Sequence, residues 1–536
     1  MLQIQGKTIP KVFEEAAANW PNWPFLVVPK AQNADSLEIS YSTAIQKVNY
    51  YKNKFQLSGY SAGQRIAVLL GNNPNHYLIK LALNSLGISI VPLNPDASPK
   101  EISYILSDSN SSLIITNDQK VSLILESFFF LKTPLNFCLI EEIDTGLPPS
   151  NFKGKAKIVS PETEASLLYT SGTTGKPKGC ILSHEYELMC GDSYIRAGSP
   201  VSLTVNRDKI FNPLPSFHIN AGILTFFAVI LTGNCLIQPN RFSVKTWSCD
   251  IRETEATVFH YLGVIIAMLL NKEIKKDDIK SLRLGLGAGV EPSLHEKFES
   301  QFAIPLVEVW GMTEMCRIIV ANEEPRQINT RAMGRPRSDL EIKVVDENDK
   351  EVERGHPGEM LVRHSESYPR KGAFSGYLGN EEATEVAWRN GWFHTGDTVI
   401  MDESNMLFFV DRAKNIIRRS GENIAAAEVE NCLIEHEYVN NVACISVPDE
   451  LREEEIMACV VLSTTARASK KTAKKLFSHA YGQLAYYKAP GWFLFLKQLP
   501  VTGTQKVLKH KLFSSDEDPR QKPNVFDMRV EKVRKN

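Results

Sequence analysis

The sequence predicts an α/β chain: a large N-terminal domain of parallel sheets flanked by helices, then a small α+β domain. Three observations predict it. Apolar runs of strand length alternate with helical patterns along the first long segment, and after Val362 the texture shifts to denser charge and shorter strands. The length of 536 residues, 43% of them hydrophobic, also exceeds what one core supports, so at least two domains in three lobes are expected.

The elements follow in order. Arg65 to Leu70 reads as a buried strand, His76 to Leu86 as a helix, and Gly87 to Leu93 as a second strand. A short helix over Pro99 to Leu106 leads to a third strand at Leu113-Ile114-Ile115. Strand, helix, strand at this spacing is a βαβ unit, which demands a parallel sheet with helices outside. The pattern returns over 258–270 and 282–298. Leu407 to Val410 forms a strand entering Asp411-Arg412-Ala413-Lys414, a polar stretch suited to a joint. Beyond it, 425–437 reads as a helix with Val429, Leu433 and Ile434 on one face, and 442–447 and 456–462 read as strands. The expected division is 1–411, 412–512 and a weakly ordered polar tail at 513–536.

Composition excludes several classes. Lys and Arg number 61 against 62 Asp and Glu, a net charge of -1 that gives no support to a nucleic-acid binder or a polybasic membrane protein. Nine cysteines include no C-x-x-C pair, which points to free thiols in a reducing compartment. Met1 to Phe13 lacks the apolar core of a signal peptide, and the most apolar stretch, Gly222 to Leu231, is too short to span a bilayer. A cytoplasmic protein without integral membrane association is expected.

The most informative run is Leu167-Leu168-Tyr169-Thr170-Ser171-Gly172-Thr173-Thr174-Gly175-Lys176-Pro177-Lys178-Gly179. A strand delivers the chain into three glycines, four hydroxyls and two lysines. Glycines let backbone N–H groups approach phosphate oxygens, hydroxyls donate hydrogen bonds, and lysine supplies charge. No G-K-[ST] closes the run, so it is not a Walker loop.

This run resembles the phosphate-loop signature of the adenylate-forming superfamily of acyl- and aryl-CoA ligases, peptide-synthetase adenylation domains and luciferases. The resemblance continues in order along the chain. Phe217-His218 resembles its aromatic gate at the acyl pocket, and Gly287-Ala288-Gly289 its adenine-flanking loop. Glu308-Val309 leads into Trp310-Gly311-Met312-Thr313-Glu314, similar to the motif Y-G-M-T-E. Gly391-Trp392-Phe393-His394-Thr395-Gly396-Asp397 is similar to its ribose-binding motif. Asp411 to Lys414, running on to Gly421-Glu422-Asn423-Ile424, resembles the hinge and CoA-tunnel segment, and Pro500 to Lys506 the segment bearing the catalytic lysine.

The resemblance implies an ATP-dependent carboxylic acid–CoA ligase working through an acyl-adenylate, with ATP, Mg²⁺, coenzyme A and a small carboxylic acid as its partners; a homodimer stays open. It implies that Thr170, Ser171, Gly172, Thr173, Thr174 and Lys178 hold the phosphates, with Thr174 and Glu314 on Mg²⁺ and Thr313 on the α-phosphate. Gly287, Ala288, Glu308, Val309 and Trp310 would flank the adenine, Asp397 and Arg412 the ribose. Lys506 would bridge the α-phosphate and the acyl carboxylate. In the second half-reaction the small mobile domain would turn about Lys414, bringing Ser420 and Gly421 to the pantetheine channel.

Taken singly, Asp397 reads equally as a turn residue, Lys506 as a solvated lysine and His218 as a satisfied buried histidine; only the ordered series sets them apart. Trp310 departs from the usual Tyr, Ala426 from Pro, Gln505 from Gly and Lys509 from Arg. The run Arg419 to Glu430 looks most like stand-alone ligases of the fatty-acyl and crotonobetaine/carnitine branch. For the acyl pocket the resemblance implies His218, His260, Tyr261 and Gly311, and such bulky polar lining suits a short or polar acid. The alternatives are a medium- or long-chain fatty acyl ligase, an enzyme loading a carrier protein, and a non-catalytic nucleotide-binding homologue.

Overall fold

The computed structural model describes all residues except 31–36, 153–157, 171–176, 291, 413–415, 501–508, 510–511, 515–516 and 534–536, and except the side chains of 293, 411, 412, 416, 423, 425 and 427. The expected βαβ unit is present. Strands Arg65–Leu69, Ser89–Pro92 and Leu113–Thr116 lie parallel and adjacent, joined by helices Pro74–Ser85 and Pro99–Asp108. Local chemistry starts both helices. Asn73 accepts from the Asn75 N–H ahead of a first-turn proline, and Ser98 and Glu101 form a reciprocal capping box.

This unit is the middle of a seven-stranded sheet. Its other members are Phe137–Leu139 on one side and Glu164–Thr170, Lys178–Ser183 and Gly376–Tyr377 on the other. A second sheet of eight strands carries Val258–Leu262, Leu284–Ala288 and Leu306–Met312 side by side and parallel, with Met315–Val320 turning back antiparallel at the edge. A third, antiparallel sheet of five strands includes Pro357–Arg363, Phe393–Met401 and Leu407–Arg412. The apolar stretch at 222–231 lies in a π-helix, Asn220–Thr225, and a fully buried helix, Phe226–Thr232, stopped by Gly233 at φ 65°. Among the described residues no helix is long and apolar enough to cross a membrane.

The C-terminal domain is a sheet of six strands covered by helices Ala426–Ile434 and Lys470–Gln483. Val429 and Leu433 pack there with Leu476, Phe477, Ile456 and Val460. Two sequence expectations change. Arg412 still pairs with Asp397 in the N-terminal antiparallel sheet, so it closes the large domain instead of opening the small one. The described part of the stretch expected as a weakly ordered tail is structured: Val525–Asp527 adds a strand to Trp492–Leu496, and Met528 is buried. Lys532, with 1% of its side chain exposed, donates to Glu455 at 2.5 Å, and Glu455 also accepts from Arg419. The polar composition hid this, because Phe526 and Met528 meet their partners only through the fold.

Candidate active site

The site grows from strand ends that the sheets bring together. Thr170 and Lys178 are cross-strand partners, so the glycine-rich run between them is the link from strand Glu164–Thr170 to strand Lys178–Ser183. Ser171, Gly172, Thr173 and Thr174 lie outside the described residues. Lys178 holds its ammonium 4.8 Å from the centre of the Tyr377 ring, and the Tyr377 hydroxyl donates to Glu314 Oε1 at 2.9 Å. Glu314 is buried, with 8% of its surface exposed. A cation, a phenol and a buried carboxylate thus stand together at the mouth of the loop. The neighbouring Thr313 is fixed through its carbonyl, which accepts from the Tyr186 hydroxyl at 2.8 Å.

A second cluster joins two sheets. The Trp310 indole N–H donates to Asp397 Oδ2 at 2.9 Å, and both residues are buried. The exchange of tyrosine for tryptophan therefore keeps a polar hydrogen at this position, aimed at the Asp397 carboxylate. Glu359 braces the turn before Asp397: it accepts from the Gly396 N–H at 3.0 Å and faces His394 Nδ1 at 3.1 Å. The backbone register sets Arg412 opposite Asp397.

A third cluster fixes the loop Gly287-Ala288-Gly289. Glu308 accepts from the Gly289 N–H at 2.7 Å and from the Tyr261 hydroxyl at 2.6 Å. Burial raises the Glu308 carboxyl to about 7, against the pull of those two donors. A Cβ on Gly287 would lie 2.2 Å from the Tyr261 carbonyl oxygen, so only glycine fits there. Val309, half-buried, is the next residue of the same strand.

The expected acyl-pocket residues separate. His260 and Tyr261 are successive on one strand and point to opposite faces. Tyr261 packs with Phe259 under helices Trp247–Thr254 and Pro292–Phe302, its hydroxyl taken by Glu308. It thus supports the Gly287–Gly289 loop through Glu308. His260 faces the other way. Its Nε2 lies 3.0 Å from the Tyr194 hydroxyl, and its Nδ1 lies 2.9 Å from Asn220 Oδ1, which also accepts from Asn212. With Asn220 Oδ1 accepting, Nδ1 carries the proton and Nε2 takes the tyrosine's. Burial holds the imidazole down to about 3, so it is neutral across the physiological range. Asn220 sits in the π-helix, an irregularity frequent at functional sites. The His218 ring lies tilted against Phe217, 4.6 Å between centroids, and Gly311 is exposed next to the Trp310 cluster.

The C-terminal domain supplies the last part. Strands Ile416–Arg419 and Glu422–Ala425 form a hairpin whose two-residue turn is Ser420 and Gly421, at φ 51° and 84°. The tip rests on the end of strand Val258–Leu262: a Cβ on Gly421 would stand 2.1 Å from Leu262 Cδ1. Glu422 Oε2 lies 3.5 Å from His218 Nε2, and the Val264 N–H donates to Glu453 at 2.9 Å. Arg418, on the first strand of the hairpin, stacks on Phe409 and approaches Gly289. Lys509 is bound within its own domain, to Glu430 at 2.6 Å and to the Cys444 carbonyl. Lys506 and Lys414 lie outside the described residues.

Sequence reasoning missed Tyr377, Glu359, Tyr194, Asn220 and Glu453, which reach the site through long-range contacts that no motif encodes, and it gave Glu422 no role of its own within the segment it quoted. The π-helix at Asn220 gave no periodic pattern either.

A family model described as AMP-binding enzyme matches residues 13–378, and one described as AMP-binding enzyme C-terminal domain matches 428–506. The chain is 26% identical to crotonobetaine/carnitine–CoA ligase of Citrobacter koseri, over 95% of this chain and 99% of that protein. It is 27% identical to sulfoacetate–CoA ligase of Cupriavidus necator, over 95% and 100%. In fold it matches a double mutant of o-succinylbenzoate CoA synthetase from Bacillus subtilis bound with its product analogue, with TM-score 0.81, 24% identity, and 95% and 99% of the two chains covered. Against the same synthetase with its acyl-adenylate intermediate the TM-score is 0.67 at 24% identity, covering 96% and 100%.

Proposed function

We propose, from the premise that the chain belongs to the AMP-binding enzyme family, that it is an ATP-dependent carboxylic acid–CoA ligase. One observation carries the reading: a hairpin of the C-terminal domain lies on the rim of a site whose carboxylates, cation and glycine loop sit on the N-terminal domain. A nucleotide can be held by one domain while a thiol enters beside the other.

In the first step an acid carboxylate oxygen attacks the α-phosphorus of ATP, the bond to the pyrophosphate oxygen breaks, and an acyl-adenylate forms. Two anions must meet, so charge neutralisation and in-line positioning are the main needs. In our reading the run Thr170 to Thr174 holds the phosphates by hydrogen bonds and Lys178 neutralises their charge, Asp397 with Arg412 takes the ribose hydroxyls, and Gly287, Ala288, Glu308, Val309 and Trp310 flank the base. Lys506 bridges the α-phosphate and the carboxylate. Mg²⁺, when bound, would add charge neutralisation on the phosphate oxygens; the buried Glu314 carboxylate, a hard oxygen donor, fits it and would hold it with Thr174.

In the second step the CoA thiol sulfur attacks the acyl carbon, the bond to the adenylate oxygen breaks, AMP leaves with the electron pair, and the thiol proton passes to solvent. The structure's domain arrangement supports assigning it to this step. The Ser420–Gly421 turn lies on Leu262, and the overlay is closer to the product-analogue complex than to the acyl-adenylate complex of the same synthetase.

For the acid we infer a short, polar molecule. Support comes from the hydrogen-bonded set Tyr194, His260 and Asn220, whose polar atoms are a poor lining for a long hydrocarbon chain. A chain of many methylenes gains about 0.8 kcal/mol for each one buried and would favour an apolar tunnel. The acids named in both relatives are short and carry a second charged group. Pyrophosphate release from ATP, measured over a panel of acids with and without CoA, tests the reading. A peak at a short polar acid supports it, and a steady rise through straight-chain acids of increasing length overturns the acid class.

A further inference from the structure

The two domains meet at a second place, away from the hairpin tip. There Lys488 of the C-terminal domain is shared between two carboxylates. It donates to Glu428 Oε1 at 2.8 Å within its own domain and to Glu101 Oε1 across the interface. All three side chains are nearly buried, with 11% of Lys488 and 10% of each glutamate exposed. Around them the same two segments make further polar bridges. Asn94 donates to the Tyr487 hydroxyl at 3.0 Å, and Lys100 donates to Gln483 at 3.0 Å and lies 3.8 Å from Glu435.

The position of this cluster gives it a consequence. Glu428 is on helix Ala426–Ile434, which begins where hairpin strand Glu422–Ala425 ends. Fixing Glu428 and Lys488 to the N-terminal domain therefore fixes the root of the hairpin whose tip lies on Leu262. The cluster is also built to part cleanly. Glu101 Oε2 accepts from the Ser98 N–H in the capping box of helix Pro99–Asp108, so that carboxylate keeps a partner when the domains separate. Lys488 and Glu428 likewise keep each other. Parting costs one cross-domain charge contact and leaves no buried charge alone, whereas deleting Lys488 while the domains stay together would leave two carboxylates side by side without their cation. Among the described residues the hydrophobic clusters do not cross this interface, so polar contacts of this kind set how the domains sit.

We propose that Glu101 and Lys488 are positioning residues for acyl transfer to CoA: a clasp that holds the hairpin root in place for the second half-reaction and opens for the first. The proposal rests on the ligase reading above. The burial of Glu428 beside a second carboxylate, which raises it to about 7, agrees with a cluster formed only when the domains are docked.

The test separates the half-reactions. Glu101→Gln keeps the cap, since glutamine also closes a capping box, but removes the cross-domain charge. In full-length protein, with the acid chosen by the panel, it should slow transfer from a supplied acyl-adenylate to CoA roughly tenfold or more and raise the KM for CoA. Single-turnover pyrophosphate release should stay within about twofold, beneath the tenfold that 1.4 kcal/mol represents. Lys488→Met should slow transfer at least as much, since it also removes the contact to Glu428, and the double variant should be no worse than Lys488→Met alone, because that change already removes the contact shared with Glu101. X-ray scattering of the ligand-free chain should show the Glu101→Gln domains less closely docked, a readout that needs no acid. If transfer and domain arrangement are unchanged, or both half-reactions fall alike, the clasp is wrong. If the unaltered chain makes no acyl-CoA from any acid, the ligase reading fails instead, and the scattering still decides whether Glu101 holds the domains.

Discussion

The N-terminal and C-terminal domains contribute to one site in different ways. In the N-terminal domain each key group is held by a partner of the same domain: Glu314 by Tyr377, Asp397 by Trp310, and Glu308 by Tyr261 and Gly289. These pairs lie on three sheets around large shared cores. The C-terminal domain has its own core, and its described residues meet the site through a glycine turn and a few polar bridges. A part locked by buried pairs keeps its geometry through a reaction, while a part docked by polar contacts can change its face. Adenylation chemistry belongs with the first kind of construction and alternation with the second.

The largest expected effect breaks the comparison at its C-terminal end. Lys506→Ala should cut pyrophosphate release on the order of 10²–10³-fold, the scale for losing one preorganised charge donor. Conversion of a supplied acyl-adenylate to acyl-CoA should survive, and equal loss of both steps would remove Lys506 from the first. Next is Gly421→Leu, where a side chain must adopt φ 84° and also meets Leu262. It should lower acyl transfer on the order of a hundredfold while adenylation persists. A variant that lost adenylation with normal folding would tie Gly421 to the nucleotide.

A smaller effect probes the locked domain. Trp310→Phe removes the indole donor to Asp397, a change of about 1 kcal/mol, and should raise the KM for ATP roughly fivefold without touching the KM for CoA. A change in the KM for CoA alone would contradict the division of labour.

The smallest compares the domains without substrates. Burial holds His76, His184 and His260 down to about 3, each in the N-terminal domain. Unfolded, each titrates near ~6.5, so their contribution to stability is full above that value and is lost as pH falls from about 6.5 towards 3. In the C-terminal domain His436 is half-buried and reaches solvent. Hydrogen exchange followed by mass spectrometry on acidification should show N-terminal peptides opening first, and the reverse order would deny that these imidazoles are buried neutral.

Much of this was legible in the sequence where physics is local. The strands and helices from Arg65 to Thr116 announce themselves by periodicity, and the folded chain starts both helices on local caps at Asn73 and Ser98. Ser420 and Gly421, singled out only through the resemblance, form the two-residue turn of the hairpin. What was not legible depends on distance in the chain. Tyr377 reaches Glu314 from sixty-three residues away, and Lys488 reaches Glu101 from 387. The pairing of Val525–Asp527 with Trp492–Leu494 likewise has no local cue. His260 and Tyr261 are a different case, since strand alternation already sends their side chains to opposite faces of the sheet.

The measurement that tests the central claim most directly is isotope exchange between pyrophosphate and ATP, run without CoA. Adenylation on the N-terminal site predicts exchange that depends on the carboxylic acid and on Mg²⁺, with acyl-CoA and AMP appearing only when CoA is added. Exchange that needs no acid, or that begins only with CoA present, would contradict a two-step reaction through an acyl-adenylate.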